Sequence, residues 1–193
     1  MQLSILKYAV VALATHCSGV LSQSQLTPAN VVDNIKTLTM KSQALQAPAK
    51  EITTVNGLMI VIGQGPFPKI IAGFTEIITI TTTAISAMQA MPPVPAGSGS
   101  DAIFNAFREF VLVHQALLNI LIGKAGLLST VPVVGGPVAS VLRQLESVVD
   151  TVAFMLIDSV ESRANDLKTE AGSLKGTIEI TIMKYEGVAA GTV

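Results

Sequence analysis

The side chains that could support acid–base, nucleophilic or metal chemistry are few in this chain. It contains two histidines, His16 and His114, and one cysteine, Cys17. A histidine metal site or a Ser-His-Asp triad would depend on one imidazole, because His16 lies in an apolar N-terminal segment. The sequence also holds no Gly-x-Ser-x-Gly motif, phosphate-binding loop or dinucleotide fingerprint. We therefore predict no catalytic residue, no metal site, no cofactor and no enzyme activity.

Three polar residues fall inside apolar helical stripes. At about 100° per residue, His114 shares a helix face with five apolar residues, Phe107, Phe110, Val111, Leu117 and Leu121. The same projection places Ser42 and Thr81 on the apolar faces of two other predicted helices. Two interpretations stay open, because a buried polar group needs a partner. Either these side chains bond helix backbones and neighbouring helices, or they form the polar end of an apolar cavity.

Four apolar residues fall outside the stripes of their helices, namely Ile80, Leu112, Ile120 and Phe154. Two explanations fit this pattern. Either the helices are packed on more than one side, or they expose apolar patches that adsorb to hydrophobic surfaces. In the second case, the candidate adsorption residues are Leu112, Ile120 and Phe154.

The helical period of 3.6 recurs along the chain and predicts five helices. Their expected ranges are 28–46, 68–91, 101–128, 138–156 and 161–185. Helices of this length joined by shorter connections are typical of bundles. The sequence therefore predicts an all-α fold, a single-domain antiparallel bundle of about five amphipathic helices enclosing an apolar core or cavity.

The connections and helix ends carry their own signals. Pro48 is expected to stop or kink the first helix, and the segment 56–68 to be a loop with a short strand as the alternative. The β-branched stretch 79–83 favours a strand locally within the second helix. Residues 97–100 are expected to form a flexible linker, and Asp101 to cap the third helix.

Composition limits what the chain can bind. Half of the residues are apolar and 13% are charged, and the mean hydropathy is +0.59. After the first two dozen residues, we expect no stretch long and charge-free enough to span a bilayer. The apolar surplus then predicts a large core, an apolar cavity, or apolar surface shown to a partner. No basic run occurs, which argues against nucleic acid as a partner.

Residues 1–22 are typical of a secretory signal peptide. Lys7 precedes a continuous apolar run over 8–14, and small residues follow up to Ser22. We therefore expect a secreted protein with a helical domain over 23–187 and a flexible tail over 188–193. Cys17 is removed with the peptide, so the mature domain has no disulfide.

Several short features resemble the fungal hydrophobic surface-binding protein A family, which is related to secreted antigenic cell-wall galactomannoproteins. They are the opening Leu26-Thr27-Pro28, the helix Val31-Val32-x-x-Ile35-x-x-Leu38, the Ser-Gly segment before Phe104, and Leu167-Lys-x-x-Ala171. These features are spread over nearly the whole mature chain. The chain departs from glycoprotein members because it has no Asn-x-Ser/Thr sequon and no long Ser/Thr-rich tail.

The resemblance implies an all-α domain that binds hydrophobic material. Members of these families adsorb to hydrophobic surfaces, recruit secreted esterases of the cutinase type, or bind long-chain fatty acids in a central cavity. We therefore predict a noncatalytic binding protein for fatty acids, other apolar ligands or hydrophobic solid surfaces, with an esterase as a further partner. A structural or antigenic cell-wall mannoprotein without a specific ligand is the alternative.

The stripes supply candidate ligand contacts for the fatty-acid hypothesis. The expected tail contacts are Phe74, Phe107, Phe110 and Leu117, and the expected carboxyl partners are Ser42, Thr81 or His114. A carboxylate bound beside His114 would stabilise the protonated form of the imidazole, because the two charges are opposite. We therefore expect an ion pair between the ring and the bound carboxylate.

Overall fold

The computed structural model describes residues 26–192, so the predicted signal peptide at 1–22 lies outside the described residues. Five long helices and one short helix carry the fold. Their bounds are Pro28–Lys50 (α1), Thr54–Gly57 (α2), Pro66–Met88 (α3), Ser98–Ala125 (α4), Gly135–Ser159 (α5) and Ala164–Ala190 (α6). Short 3-10 turns span Leu58–Ile62, Gly126–Leu128, Pro132–Val134 and Glu161–Arg163. No strand forms within 26–192, and the predicted all-α class is confirmed.

The five long helices form a closed ring in which each packs mainly against two others. The order around the ring is α1, α4, α6, α5, α3 and back to α1. Long helices that follow one another along the chain run in opposite directions, as predicted, so the alternate helices α1, α4 and α6 run in the same direction. Two contacts show this common direction. The Lys124 ammonium at the end of α4 donates to the Ile52 carbonyl just beyond α1, at 2.9 Å. Arg163, just before α6, pairs with Asp101 at the start of α4.

The apolar stripes of all five helices face the axis of this ring. One residue from each helix illustrates the burial: Ile35, Phe74, Leu117, Leu145 and Leu174 are each at most 4% exposed. Burying a side chain of this size contributes about 1.5 to 3 kcal/mol relative to leaving it in water. At one end of the axis, the rings of Phe67 and Tyr185 meet edge to face with centroids 6.5 Å apart. The core therefore lies along the axis and holds the ring together.

Helix α1 begins as predicted and ends later than predicted. The Thr27 side chain accepts from the Asn30 backbone N–H at 3.2 Å, and the Asn30 side chain accepts from the Thr27 N–H at 3.1 Å. These two bonds satisfy donors that a helix start leaves unpaired. The expected stop at Pro48 is wrong, since the helix continues to Lys50. A proline in the last turn costs one main-chain bond, and the buried Ala49 beyond it packs in the core.

The segment after α1 is helical where a loop or a short strand was expected. Thr53 caps the short helix α2 through the Asn56 backbone, and Asn56 returns a bond to the Thr53 N–H at 2.8 Å. The 3-10 turn Leu58–Ile62 follows and ends at Gly63, whose φ of 70° suits glycine.

Helix α3 spans Pro66–Met88, two residues earlier at its start and three earlier at its end than predicted. The β-branched stretch 79–83 stays helical within it. Hydroxyl groups along this helix donate to the carbonyl four residues earlier, at positions 75, 79, 81, 82, 83 and 86. Tertiary packing on α1 and α5 overrides the local strand preference.

The expected flexible linker at 97–100 is wrong, because residues 98–100 form the first turn of α4. Gly97 precedes the helix with φ of 140°, and its carbonyl accepts from the Ser100 hydroxyl at 2.8 Å. Ser100 also accepts from the Gly97 N–H at 3.1 Å, and its side chain is buried. Asp101 therefore lies inside the helix and pairs with Arg163, and its predicted capping role is wrong.

Helix α6 extends to Ala190, past the predicted helix end at Tyr185 and past position 188, where a flexible tail was expected to begin. Val188 is fully buried against the ring, which explains the extra turn. Gly191 ends the helix in the left-handed conformation, with φ of 70°. The tail that remains among the described residues is therefore Gly191 and Thr192.

Two helical stretches meet the length and hydropathy of a membrane span, which corrects the expectation that none would. They are Pro66–Met88, with a mean hydropathy of 1.5 in its most apolar window, and Ser98–Leu128, with 1.6. Both are core helices of the ring, and their apolar faces pack against neighbouring helices. A sequence window does not distinguish this packing from lipid contact, because both environments select the same side chains.

Candidate functional site

Two polar side chains meet in the apolar interior, one from α1 and one from α4. The Ser42 hydroxyl lies 2.8 Å from Nδ1 of His114 and 2.9 Å from the Leu38 carbonyl one turn earlier. Ser42 and His114 are both 0% exposed. α1 and α4 run side by side in the same direction, so these two positions face each other across their contact.

His114 keeps one ring nitrogen without a partner. Among the described residues, its Nε2 is a fully buried side-chain nitrogen with no hydrogen bond. If Ser42 donates to Leu38, then Nδ1 carries the ring proton and Nε2 is an unpaired acceptor; if Ser42 donates to Nδ1, then Nε2 is an unpaired donor. A buried polar atom of either kind costs about 1 to 3 kcal/mol. Burial also lowers the pKa of His114 to about 4, so the ring is neutral at neutral pH.

Aromatic rings surround this imidazole. The Phe110 ring lies one turn away on α4, with its centroid 5.2 Å from that of His114, and the Phe74 ring reaches it from α3 at 6.0 Å. Phe107 continues the series, 6.3 Å from Phe110. The polar pair therefore sits at the end of an aromatic path that follows α4.

Two small apolar cavities continue that path along the axis. The inner cavity measures about 20 Å³ and is lined by Ile35, Leu38, Thr81, Phe107, Phe110, Val149 and Val152. The outer cavity is of equal size, shares four of these residues, and reaches Leu26, Met88 and Leu156 at the end of the ring where α1 begins. Pockets that enclose a small organic ligand usually measure roughly 300 to 1,000 Å³. An acyl chain therefore enters this axis only if helices move apart.

The structure brings most of the sequence-predicted ligand residues together. Ser42, Phe74, Phe110 and His114 form the polar end, while Thr81 and Phe107 line the inner cavity with Phe110. Thr81 donates to the Ile77 carbonyl of its own helix at 2.7 Å, which fits the first interpretation above, that the polar side chains bond helix backbones. Leu117 is buried but lines neither cavity.

Sequence reasoning missed the aliphatic walls of the cavities. Ile35 and Leu38 of α1 and Val149 and Val152 of α5 line the inner cavity. All four belong to apolar stripes that predict the core. The sequence pattern does not distinguish an apolar residue that lines a cavity from one in a fully packed part of the core. Their selection depends on the ring order, which brings α1 and α5 to the same space without direct packing between the two helices.

The predicted adsorption residues do not share one environment. Leu112 is 58% exposed and Phe154 is 66% exposed, whereas Ile120 is half-buried against the core, as is Ile80. Packing on more than one side is therefore found for Ile80 and Ile120, and adsorption through Leu112 and Phe154 stays a prediction. Leu112 and Phe154 are available to a surface, and Ile120 is less so.

The Ser42–His114 pair is a poor arrangement for nucleophilic catalysis. Both side chains are closed off from solvent, the hydroxyl contacts Nδ1 and a carbonyl, and the pKa of His114 is lowered to about 4. A general base works best with a pKa near the operating pH and within reach of substrate. Residues 26–192 contain no cluster of three or more His, Cys, Asp or Glu side chains that could hold a metal ion.

Two solved structures with a similar fold were determined in complex with fatty acids. One is AfMp4p in complex with palmitic acid, with 16% identity and a TM-score of 0.59 over 86% of this chain and 99% of that chain. Another is ligand binding domain 1 of the Penicillium marneffei MP1 protein complexed with arachidonic acids, with 15% identity and a TM-score of 0.62 over 80% of this chain and 98% of that chain. The likeness establishes the fold. No protein-family model matches this sequence, and no curated protein matches it.

Proposed function

We propose that this protein is a secreted, noncatalytic binding protein for long-chain fatty acids, with the carboxyl group at His114 and the acyl chain along the ring axis. The observation that carries the proposal is the unpaired Nε2 of His114, buried beside the rings of Phe74 and Phe110, of which Phe110 also lines the inner cavity. The fatty acids held by two domains of the same fold support it. Secretion is supported by the sequence of residues 1–22.

A carboxyl group satisfies Nε2 in either tautomer of the ring. A protonated carboxyl donates to an Nε2 acceptor, and a carboxylate accepts from an Nε2 donor. Because the surroundings are apolar, a bound pair without net charge is favoured over a lone carboxylate. The bound pair therefore holds one proton more than the neutral ring and the ionised fatty acid hold separately at neutral pH.

The acyl chain supplies the larger share of the binding energy. Each buried methylene contributes about 0.8 kcal/mol, so hexadecanoic acid has roughly 12 kcal/mol of gross transfer energy. Ordering of the chain and separation of the helices are subtracted from this amount. Since both cavities are small, widening the ring costs packing contacts around Ile35 and Val152.

Calorimetric titration of delipidated protein with a series from decanoic to hexadecanoic acid tests the proposal. We expect affinity to rise with each methylene pair, and equal affinity across the series would refute axial binding. Val149→Phe fills the inner cavity and is expected to weaken hexadecanoic acid at least tenfold. Ser147→Phe, at an exposed position on the same helix, is the matched control and should bind normally.

A second proposed role is adsorption to a hydrophobic solid surface. The exposed side chains of Leu112 on α4 and Phe154 on α5 favour it. Recruitment of a secreted esterase of the cutinase type to such a surface is supported by the family resemblance alone. A structural or antigenic cell-wall role is the alternative if neither lipid nor surface binds.

A further inference from the structure

One end of the ring is built by two chain connections, and we call this end the tip. It consists of residues 52–65, between α1 and α3, and residues 126–134, between α4 and α5. The Thr54 hydroxyl donates to the Leu127 carbonyl at 3.2 Å, which ties the two connections together. A Cβ placed on Gly57 would lie within 4 Å of the side chains of Leu128 and Val131, so these two side chains pack directly against the Gly57 backbone. The tip is therefore one continuous surface.

Exposed apolar side chains concentrate on the tip. Seven of them are Val55, Leu58, Met59, Val61, Ile62, Leu127 and Val133. Three are more than two-thirds exposed: Val55 at 80%, Val61 at 69% and Ile62 at 68%. The exposed apolar residues elsewhere, such as Met40, are spread over the sides of the helices. A cluster of this kind on a globular surface marks a site of interaction.

The tip carries no charge, and a mainly basic collar stands behind it. Residues 52–68 and 125–142 contain no Lys, Arg, Asp or Glu. The nearest cations along the chain are Lys50, Lys69, Lys124 and Arg143, against one exposed anion, Glu51. Arg143 pairs with Glu186 on α6. The far end of the ring differs: it holds four carboxylates, Asp101, Asp158, Glu161 and Asp166, and Arg163 pairs with two of them, Asp101 and Asp166.

We propose that the tip docks on the surface of a lipid bilayer that carries anionic headgroups. Apolar side chains at a membrane interface bury in the boundary between headgroups and acyl chains, and cations behind them contact the negative surface. Lysine stems reach such headgroups while lying along apolar surface. The uncharged tip would enter the boundary between headgroups and acyl chains, and the basic collar behind it would contact the anionic headgroups. Contact between two tips in a dimer would bring two basic collars together, which disfavours a second copy as the occupant.

Buried side chains underlie the exposed ones of the tip. They are Ile52, Leu128 and Val131 of the tip itself and Phe67 at the start of α3, each at most 1% exposed. The end of α4 is eleven residues from His114, roughly 16 Å along the helix. Docking therefore needs neither the polar pair nor the axial cavities, and it stands or falls separately from fatty-acid binding.

Co-sedimentation with vesicles tests the proposal. The probes are vesicles of phosphatidylcholine alone and of phosphatidylcholine mixed with phosphatidylserine. We expect the full mature chain to bind the mixed vesicles more tightly. Val61→Asp with Ile62→Asp should reduce that binding at least tenfold, and Lys50→Glu with Lys69→Glu should bring it down to the level of the neutral vesicles. Met40→Asp is the matched control, since Met40 is also apolar, is 63% exposed on the side of α1 and has no assigned binding role, and it should bind as the parent does.

The other occupants give different results. Absence of binding to either vesicle overturns the proposal, as does equal loss in the Met40→Asp control. Concentration-dependent dimerisation in analytical ultracentrifugation that the tip variant abolishes would instead show an interface between copies. Helical content by circular dichroism confirms that each variant is folded. Val149→Phe, which should lose fatty-acid binding, should still bind the vesicles. This variant therefore distinguishes failure of the fatty-acid proposal from failure of the docking proposal.

Discussion

Ser42 and His114 hold each other in place from two helices that run side by side, with 2.8 Å between the hydroxyl oxygen and Nδ1. Neither side chain has contact with solvent. The pair fixes the orientation of the imidazole and leaves Nε2 as its unpaired atom. It thus links the register of α1 and α4 to the position of the imidazole inside the ring.

Ser42→Ala should lower the free energy of unfolding by about 1 to 3 kcal/mol, because it leaves Nδ1 as a second unpaired buried nitrogen. Thr39→Val is the matched control. Thr39 is a buried hydroxyl on the same helix that bonds only the Ile35 carbonyl, at 3.0 Å. Urea unfolding of both variants measures the difference, and an equal loss in the two would show that the Ser42–His114 bond adds nothing.

The stability of the protein should depend on pH through His114. Its pKa falls from 6.5 to about 4 on burial, so between these values the unfolded chain binds a proton that the folded protein does not. Stability is therefore fully present above the unfolded pKa and is lost as pH falls from 6.5 toward 4, by roughly 2 to 3 kcal/mol near pH 4.5. Urea unfolding from about pH 7 downward measures this loss.

His114→Leu is the control for that pH dependence. The variant lacks the titrating ring but keeps every carboxylate. The carboxylates therefore change the free energy of unfolding with pH equally in both proteins. The slope between about pH 6.5 and 4.5 should flatten in the variant. Identical slopes would mean that the ring titrates as an exposed histidine does.

Fatty-acid binding should take up about one proton at neutral pH, because the bound imidazole and carboxyl group share a proton in an apolar site. Calorimetry in two buffers with different heats of ionisation counts the protons. Affinity should accordingly fall as pH rises from about 6 to about 8, by up to tenfold per pH unit. The nitrogen NMR signal of Nε2 should shift on binding, and an unshifted signal would place the carboxyl group elsewhere.

Gly135→Ala should lower the free energy of unfolding by about 1 to 3 kcal/mol or more. A Cβ at this position would overlap the Tyr185 carbonyl and the backbone of Ala189 on α6, which are fixed main-chain atoms. Gly136→Ala is the matched control, since a Cβ there meets open space. That change should be neutral or stabilise by up to about 1 kcal/mol, because alanine favours the helix. Thermal unfolding distinguishes the two.

Leu112→Ser combined with Phe154→Ser should reduce retention on a hydrophobic polyester film. The effect should persist in high salt, which screens charge but not apolar contact. Fatty-acid binding is the internal control and should not change, because neither side chain lines a cavity. Unchanged retention on the film would exclude the two residues from adsorption.

The helical pattern was enough to predict the five long helices and their buried faces, but it missed the short helix α2 and misplaced most helix ends. Pro48 marks a helix end in the sequence, yet burial of Ala49 extends α1 past it. The Gly-Ser segment before Asp101 has the composition of a linker, but the Ser100 side chain bonds both backbone groups of Gly97 and starts a helix. These outcomes depend on tertiary contacts and cap geometry, which a local pattern does not contain.

The candidate site was predictable only as a set of separate polar positions. The stripes place Ser42, Thr81 and His114 toward the interior, and they do lie there. Which of them meet depends on the order of helices around the ring, and only α1 and α4 bring two together. Leu117 shows the same limit, because it follows His114 by one turn and yet lies away from both cavities.

The row of hydroxyl bonds along α3 has a mechanical consequence for the ring. Each of these carbonyls already accepts from a side chain, so it keeps a partner when its main-chain bond lengthens. Bending α3 therefore leaves fewer groups unsatisfied than bending α4, whose described carbonyls accept few such side-chain bonds. α3 carries six such bonds against three on α1 and three on α6, and it forms one wall of both cavities through Thr81. We therefore expect widening of the axis by a ligand to bend α3 more than the other helices.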